Sequence, residues 1–237
     1  MRPASGESIM SPTAERLQAI HERIGRVPGK PARVVTVVAV SKTKSAADVR
    51  EAHRAGQRDF GENYVQEALA KMGQLADLPI TWHFIGALQG NKAREVAEHF
   101  DWCHGVDRSR IAQLLSRFRP ANRPPLNVCV QVNISAEATK GGVAPGEALA
   151  LAREVASLPG LRLRGLMGMA SPSGSAEQAR AEFARLRAEF DALRAAGLPV
   201  DTLSMGMTQD FEAALAEGAT MLRLGTAIFG SREKAAA

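Results

Sequence analysis

The sequence predicts an α/β fold, a single-domain (β/α)8 TIM-type barrel, on three observations. Short apolar runs alternate with helical stretches along the chain, which is the signature of βα units around a parallel sheet. Eight such runs can be read, near 34–41, 57–61, 81–86, 101–105, 126–134, 162–168, 201–205 and 220–224, and eight strands close a barrel. The 237 residues suit one domain of this kind, which commonly runs to about 250 residues. An open doubly wound sheet uses the same alternation, but its dinucleotide-binding type carries a glycine-rich fingerprint after the first strand. Here Arg33 to Ser41 runs into Lys42-Thr43-Lys44 with no glycine.

The elements follow in order. Residues 1–10 are small and polar and are expected to form a disordered leader, with Met10 an alternative start. Ser11-Pro12 reads as an N-cap followed by proline at the first helical position, opening a helix to about Val27. After the first strand, Ser45-Ala46-Ala47-Asp48 resembles a capping box, and Gly56 sits where a glycine would end that helix. In the fifth strand Leu126, Val128, Val130, Val132 and Ile134 alternate with Asn127, Cys129, Gln131 and Asn133, so polar groups on the inner parity predict a polar cavity near its end. A glycine-containing loop, Ala136 to Gly142, carries Lys140, an uninvolved loop lysine or a second amine over the mouth. Between Ser175 and Ala196 a stripe of Phe183, Leu186, Phe190 and Leu193 marks a barrel-wall helix, stopped by Gly197-Leu198-Pro199. The barrel is expected to span 11–232, with 233–237 a tail.

Bulk properties exclude several classes. Hydrophobic residues make up 45% and charged residues 23% of the chain, ordinary globular usage. The net charge of +5 is scattered along helices, as in Ala179 to Arg187, with no aromatic-interleaved basic segment, so no nucleic-acid partner is expected. No run approaches the roughly 20 apolar residues of a membrane span, and the N-terminus lacks a secretory signal. A cytoplasmic monomer is expected. Cys103 and Cys129 lie in apolar surroundings without ligand spacing and read as small buried hydrophobes. His83 and His104 have no paired metal-ligand spacing and read as core or supporting positions.

Chemistry is expected at the C-terminal ends of the strands, where barrel enzymes place their sites. Val34, Thr36, Val38, Val40 and Lys42 share one parity, which projects Lys42 into the barrel mouth. A partly desolvated lysine amine attacks aldehydes, so Lys42 is a candidate imine former. A surface lysine just past a strand reads the same, and Lys44 shares the parity. In the eighth strand Leu222 and Leu224 face the helices, which turns Arg223 inward. An inward arginine demands an acceptor, a cofactor's pyridine nitrogen or a buried carboxylate. Two places nearby suit a phosphate: Gly206 to Asp210, where Thr208 reads as the N-cap of the next helix, and Gly225-Thr226.

At these residues the sequence resembles the pyridoxal phosphate homeostasis protein family, single-domain relatives of the alanine racemase barrel. The resemblance lies in Val40-Ser41-Lys42-Thr43-Lys44, Phe60 to Glu67, Trp82 to Gly86, Leu203 to Met207 and Arg223 to Gly230, and runs from about 11 to 232. It implies that pyridoxal 5′-phosphate (PLP) is held by Lys42 as a Schiff base, that Arg223 faces the pyridine nitrogen, and that Thr208, Gly225 and Thr226 hold the phosphate. Asn63 looks like a further pocket residue on the same grounds. The family commonly has serine at the position of Thr208, and Gly168 to Ser173 and Gly90 also depart from its commoner forms.

The resemblance further implies a non-catalytic binder that keeps vitamin B6 and amino-acid pools in balance, with PLP-dependent apoenzymes as recipients. Arginine favours a neutral pyridine ring, a weaker electron sink, and racemisation needs proton carriers on both faces of a carbanion. The only tyrosine is Tyr64, and little chain follows the eighth strand to build a second domain. A slow PLP-dependent racemase is the alternative. A B6-dependent interaction protein is a third reading.

Overall fold

The computed structural model describes residues 10–28, 34–135, 137, 140–172 and 174–230. The expected leader, apart from Met10, the tail, and Ser173 lie outside them. After α1 (Pro12–Arg26) come eight βα units: β1 (Thr36–Val40), α2 (Ala46–Arg54), β2 (Asp59–Glu62), α3 (Val65–Gln74), β3 (Thr81–Phe84), α4 (Ala93–His99), β4 (Trp102–Val106), α5 (Ser109–Phe118), β5 (Leu126–Gln131), α6 (Ala148–Ser157), β6 (Leu161–Met167), α7 (Ala176–Ala195), β7 (Thr202–Ser204), α8 (Phe211–Ala216), β8 (Met221–Leu224) and α9 (Thr226–Phe229). The strands pair in chain order, all parallel, and β8 returns to β1 with Val38 opposite Arg223. The predicted closed barrel is present.

Capping follows the sequence. The Ser11 hydroxyl accepts from the Ala14 amide, and Ser45 and Asp48 complete a reciprocal capping box. The α7 stripe of Phe183, Leu186, Phe190 and Leu193 is buried. Strand parity divides the apolar residues into two layers. The larger fills the space between sheet and helices, while Val38, Trp102, Cys129, Met167 and Met221 pack inside the barrel. Lys42 therefore lies on the parity of an interior residue. Both cysteines are buried, and burial pushes each thiol up to about 12, so neither is a thiolate at neutral pH.

Two expectations change. The fifth strand ends at Gln131, not 134, although Val132 and Ile134 remain buried. Their alternation continues because they pack against the helical layer while Val132 bridges to Val143. Thr208 is not an N-cap: α8 starts at Phe211 with Asp210 before it, and Asp210 Oδ1 accepts from the Met207 amide at 2.5 Å. The carboxylate, two residues closer to the helix, closes that turn and leaves the threonine hydroxyl for tertiary contact.

Among the described residues no helix is long and apolar enough to cross a membrane.

Candidate functional site

At the C-terminal end of the barrel, Lys42, Thr208, Arg223, Gly225 and Thr226 line one cavity of about 380 Å³ with Val40, Met207, Ser171 and Pro172. That size lies in the usual range of small-ligand pockets. Lys42 is half-buried at its wall and has no hydrogen-bond or ion-pair partner among the described residues. Lys44 does not line the cavity, because the chain turns tightly after Lys42, with Thr43 at φ 64° and the Lys44 amide bonded to Ser41 O. The turn ends the strand parity that made the two lysines equivalent in the sequence.

Arg223 is almost fully buried. Its guanidinium donates to Ser204 O and Ser204 Oγ at 2.7 Å and to Gly168 O at 3.0 Å. All of these acceptors are uncharged, so the buried carboxylate partner considered from the sequence is not among its hydrogen bonds. Burial pushes the group down to about 10, opposed by the charge of Asp210, and it remains a cation at neutral pH. Thr208 Oγ1 accepts from the Ala227 amide at 3.4 Å and lies 3.3 Å from Thr226 Oγ1, which joins the loops after β7 and β8.

The family described as alanine racemase, N-terminal domain, matches residues 16–233. A curated relative from Pseudomonas aeruginosa, named pyridoxal phosphate homeostasis protein, is 56% identical over 227 residues, covering 94% of this chain and 97% of its own. The chain belongs to the pyridoxal phosphate homeostasis protein family. PipY of Synechococcus elongatus superposes with a TM-score of 0.83 at 42% identity in a structure without PLP, and 0.81 at 40% in one with PLP bound. Both PipY alignments cover 92% of this chain and 100% of that one. An alanine racemase from Clostridium difficile shares the fold, with a TM-score of 0.71 at 14% identity over 93% of this chain and 58% of its own.

Within this family fold, Asn63 stands apart from the other expected residues. It follows β2 and lines a neighbouring hollow with Tyr64, Phe84 and Gly86, and its Oδ1 is buried without a hydrogen-bond partner among the described residues. Lys140 is tethered beside the loop rather than over the mouth: Nζ donates to Ala170 O at 3.1 Å and pairs with Glu137 at 3.0 Å.

Two supporting arrangements escaped the sequence reading. Behind Lys42, the buried Lys71 ammonium spends all of its donors, on Ser41 O at 2.6 Å and on Glu62 Oε1 and Glu67 Oε1 at 2.7 Å. Ser41 Oγ also donates to Glu62, and the Thr43 amide donates to Glu67 Oε1 at 2.5 Å. This cluster holds both sides of Lys42 and sustains the left-handed conformation of Thr43, which otherwise costs about 1–2 kcal/mol. Glu62 Oε2 is buried without a partner among the described residues, and burial raises this carboxyl above its ordinary 4.5 against the pull of Lys71 and Ser41. The available signal was Lys71 itself, which continues the Val65–Ala68 stripe of α3 where an apolar residue is expected. Across the mouth, Glu182 on α7 accepts from the Ser171 amide at 2.7 Å and the Ser171 hydroxyl at 2.8 Å, fixing that wall.

Proposed function

We propose that this chain binds PLP through Lys42 and handles the cofactor, storing it reversibly in the cytoplasm and releasing it to PLP-dependent apoenzymes, without efficient catalysis. The observation that carries the reading is the convergence of Lys42, Arg223 and the loops after β7 and β8 on one cavity, in a chain whose PipY neighbour has been solved with PLP bound. When bound, PLP supplies an aldehyde that condenses with a neutral primary amine. Lys42 offers that amine from a braced turn, with no competing partner among the described residues. The cavity suits the rest of the group. Arg223 is a buried cation bonded only to neutral oxygens, and as a pure donor it pairs with an unprotonated ring nitrogen. The hydroxyls of Thr208 and Thr226, with the backbone at Gly225, would hold the phosphate. Gly225 has φ −109°, and a Cβ there would meet nothing nearer than Val40 at 3.6 Å, so packing does not demand glycine; its bare backbone leaves room for a phosphate oxygen. Asn63 would serve from the neighbouring hollow, through an Oδ1 that has no partner among the described residues.

Handling rather than turnover is supported by the lining. Among the described residues Lys42 is its only amine, and the Asp210 carboxylate already accepts from Met207. Tyr64 is 61% exposed and belongs to the neighbouring hollow. A racemase needs a proton carrier opposite Lys42, and the lining gives none an evident position. The PLP-loaded protein incubated with single-enantiomer amino acids in deuterated water should show no α-proton exchange beyond that of free PLP. Turnover on the order of 1 s⁻¹ or faster, in the ordinary enzymatic range, would replace this reading with the racemase.

A further inference from the structure

Beneath Arg223 the barrel interior carries an unbroken line of hydrogen-bonding side chains that the cavity does not use. Asp59 opens β2 at the opposite end of the barrel, with its side chain 28% exposed. Its Oδ1 lies 3.0 Å from His83 Nε2, His83 Nδ1 lies 3.0 Å from His104 Nε2, and His104 Nδ1 lies 2.9 Å from Ser204 Oγ. Ser204 Oγ then accepts from Arg223 at 2.7 Å. Both histidines and Ser204 are wholly buried, and Trp102 stacks on His83 at 5.4 Å and 13°.

The two ends dictate the direction of every bond between them. A carboxylate only accepts and a guanidinium only donates. With neutral imidazoles, His83 carries its hydrogen on Nε2 toward Asp59, leaving Nδ1 to accept from His104 Nε2–H. His104 Nδ1 then accepts the Ser204 hydroxyl hydrogen, and Ser204 Oγ accepts from Arg223. Each group is satisfied with no proton added or missing. Protonating His83 fully would reverse the two inner bonds, take from the Ser204 hydrogen its acceptor at His104 Nδ1, and place a second cation in a buried interior. Burial and the nearby Arg223 charge also hold the His104 imidazole well below its ordinary range, burial being the larger cause.

We propose that Asp59, His83, His104 and Ser204 form a one-directional hydrogen-bond relay that fixes Arg223 for the cofactor ring, making Asp59 a positioning residue at the far end of the barrel. The relay deepens the PLP reading and rests on it for its purpose, while its geometry can be tested without cofactor. Histidine-¹⁵N-labelled protein, without added cofactor, should show His83 and His104 as neutral Nε2–H tautomers in long-range ¹H–¹⁵N spectra. Pyridoxine 5′-phosphate, which lacks the aldehyde, reads ring and phosphate contacts independently of Lys42. Asp59→Leu should mix the two tautomers and weaken this probe about tenfold, the scale of one lost charge-assisted hydrogen bond, whereas Asp59→Asn, which keeps an acceptor, should restore most of the affinity. Ser204→Ala cuts the line at its other end and should weaken the probe while leaving the tautomers in place, a result that holds if Asp59→Leu does not fold. An Nδ1–H tautomer or a cationic His83 in the wild type, or probe affinity within about twofold in folded Asp59→Leu and Ser204→Ala, would overturn the relay. If the wild type takes up no pyridoxine 5′-phosphate, the cofactor reading falls while the tautomer spectra still decide the relay.

Discussion

Replacing Lys71 with methionine should destabilise the fold by about 3–5 kcal/mol, the usual cost of stranding one partner of a buried ion pair. Glu62 is wholly buried, and with the ammonium gone its carboxylate keeps, among the described residues, only the Ser41 hydroxyl. The loss should depend on pH. Burial already holds Glu62 above its ordinary 4.5, and Lys71 opposes that rise, so removing Lys71 lifts the carboxyl further. A carboxyl whose folded value is raised binds its proton more tightly in the folded state. Its contribution is present in full below the unfolded value and is lost as pH rises through the folded one. Urea unfolding should therefore show a larger deficit for Lys71→Met at pH 8 than at pH 5, and Glu62→Gln/Lys71→Met should recover much of the stability and lose that slope. A deficit independent of pH, or deeper in acid, would mean that Glu62 is not the stranded charge. The same substitution releases Ser41 O and Glu67, so it should also slow covalent uptake of PLP at Lys42.

Substituting alanine for Gly165 should cost more than about 4 kcal/mol, beyond the range of most single changes, and leave little folded protein. Gly165 sits in β6 at φ 152°, paired with Thr202 beside a register shift between β5 and β6. A Cβ there would lie 1.9 Å from the carbonyl oxygen of Thr202 and 3.2 Å from Phe190. The obstacle is backbone of a closed sheet, with no flexible side-chain end to swing aside. Relief requires β7 to leave β6, which loses ladder bonds and disturbs Ser204 beneath Arg223. Gly73 provides the contrast: it lies inside α3 with nothing within 4 Å of a new Cβ, so Gly73→Ala should stabilise the protein by up to about 1 kcal/mol through helix propensity. Thermal unfolding of the pair checks both signs.

What could be read beforehand was whatever a single element's pattern carries. Alternation along each βα unit marked the barrel, and the parity of Val38, Val40 and Lys42 put the amine on the interior side, because a strand's side-chain period is fixed by its backbone. The pattern over-extended at the fifth strand because Val132 and Ile134 stay buried past its end, where the Val132 amide still bonds Met167 O of β6 but the Ile134 amide turns back to Val132 O. Thr208 looked like a cap because its spacing to α8 allows one, yet Asp210 is nearer, and the hydroxyl's contacts at Ala227 and Thr226 come from the start of α9. Lys44 shared its parity with Lys42 until the turn at Thr43 removed the equivalence. The relay was illegible for a plainer reason. His83 and His104 are 21 residues apart and Ser204 a further 100 along, and only closure of the barrel brings β3, β4 and β7 to one interior line. Lys71 and Glu62 were overlooked because isolated charges read as solvated until a partner is visible.

Borohydride reduction of the PLP-loaded protein, followed by peptide mapping of the trapped group, tests the central claim most directly. The account predicts a yellow protein that bleaches on reduction, with the label on the peptide containing Lys42 and lost in Lys42→Ala. Label recovered on Lys44 or Lys140 instead, or an equal reducible adduct in Lys42→Ala, would contradict it.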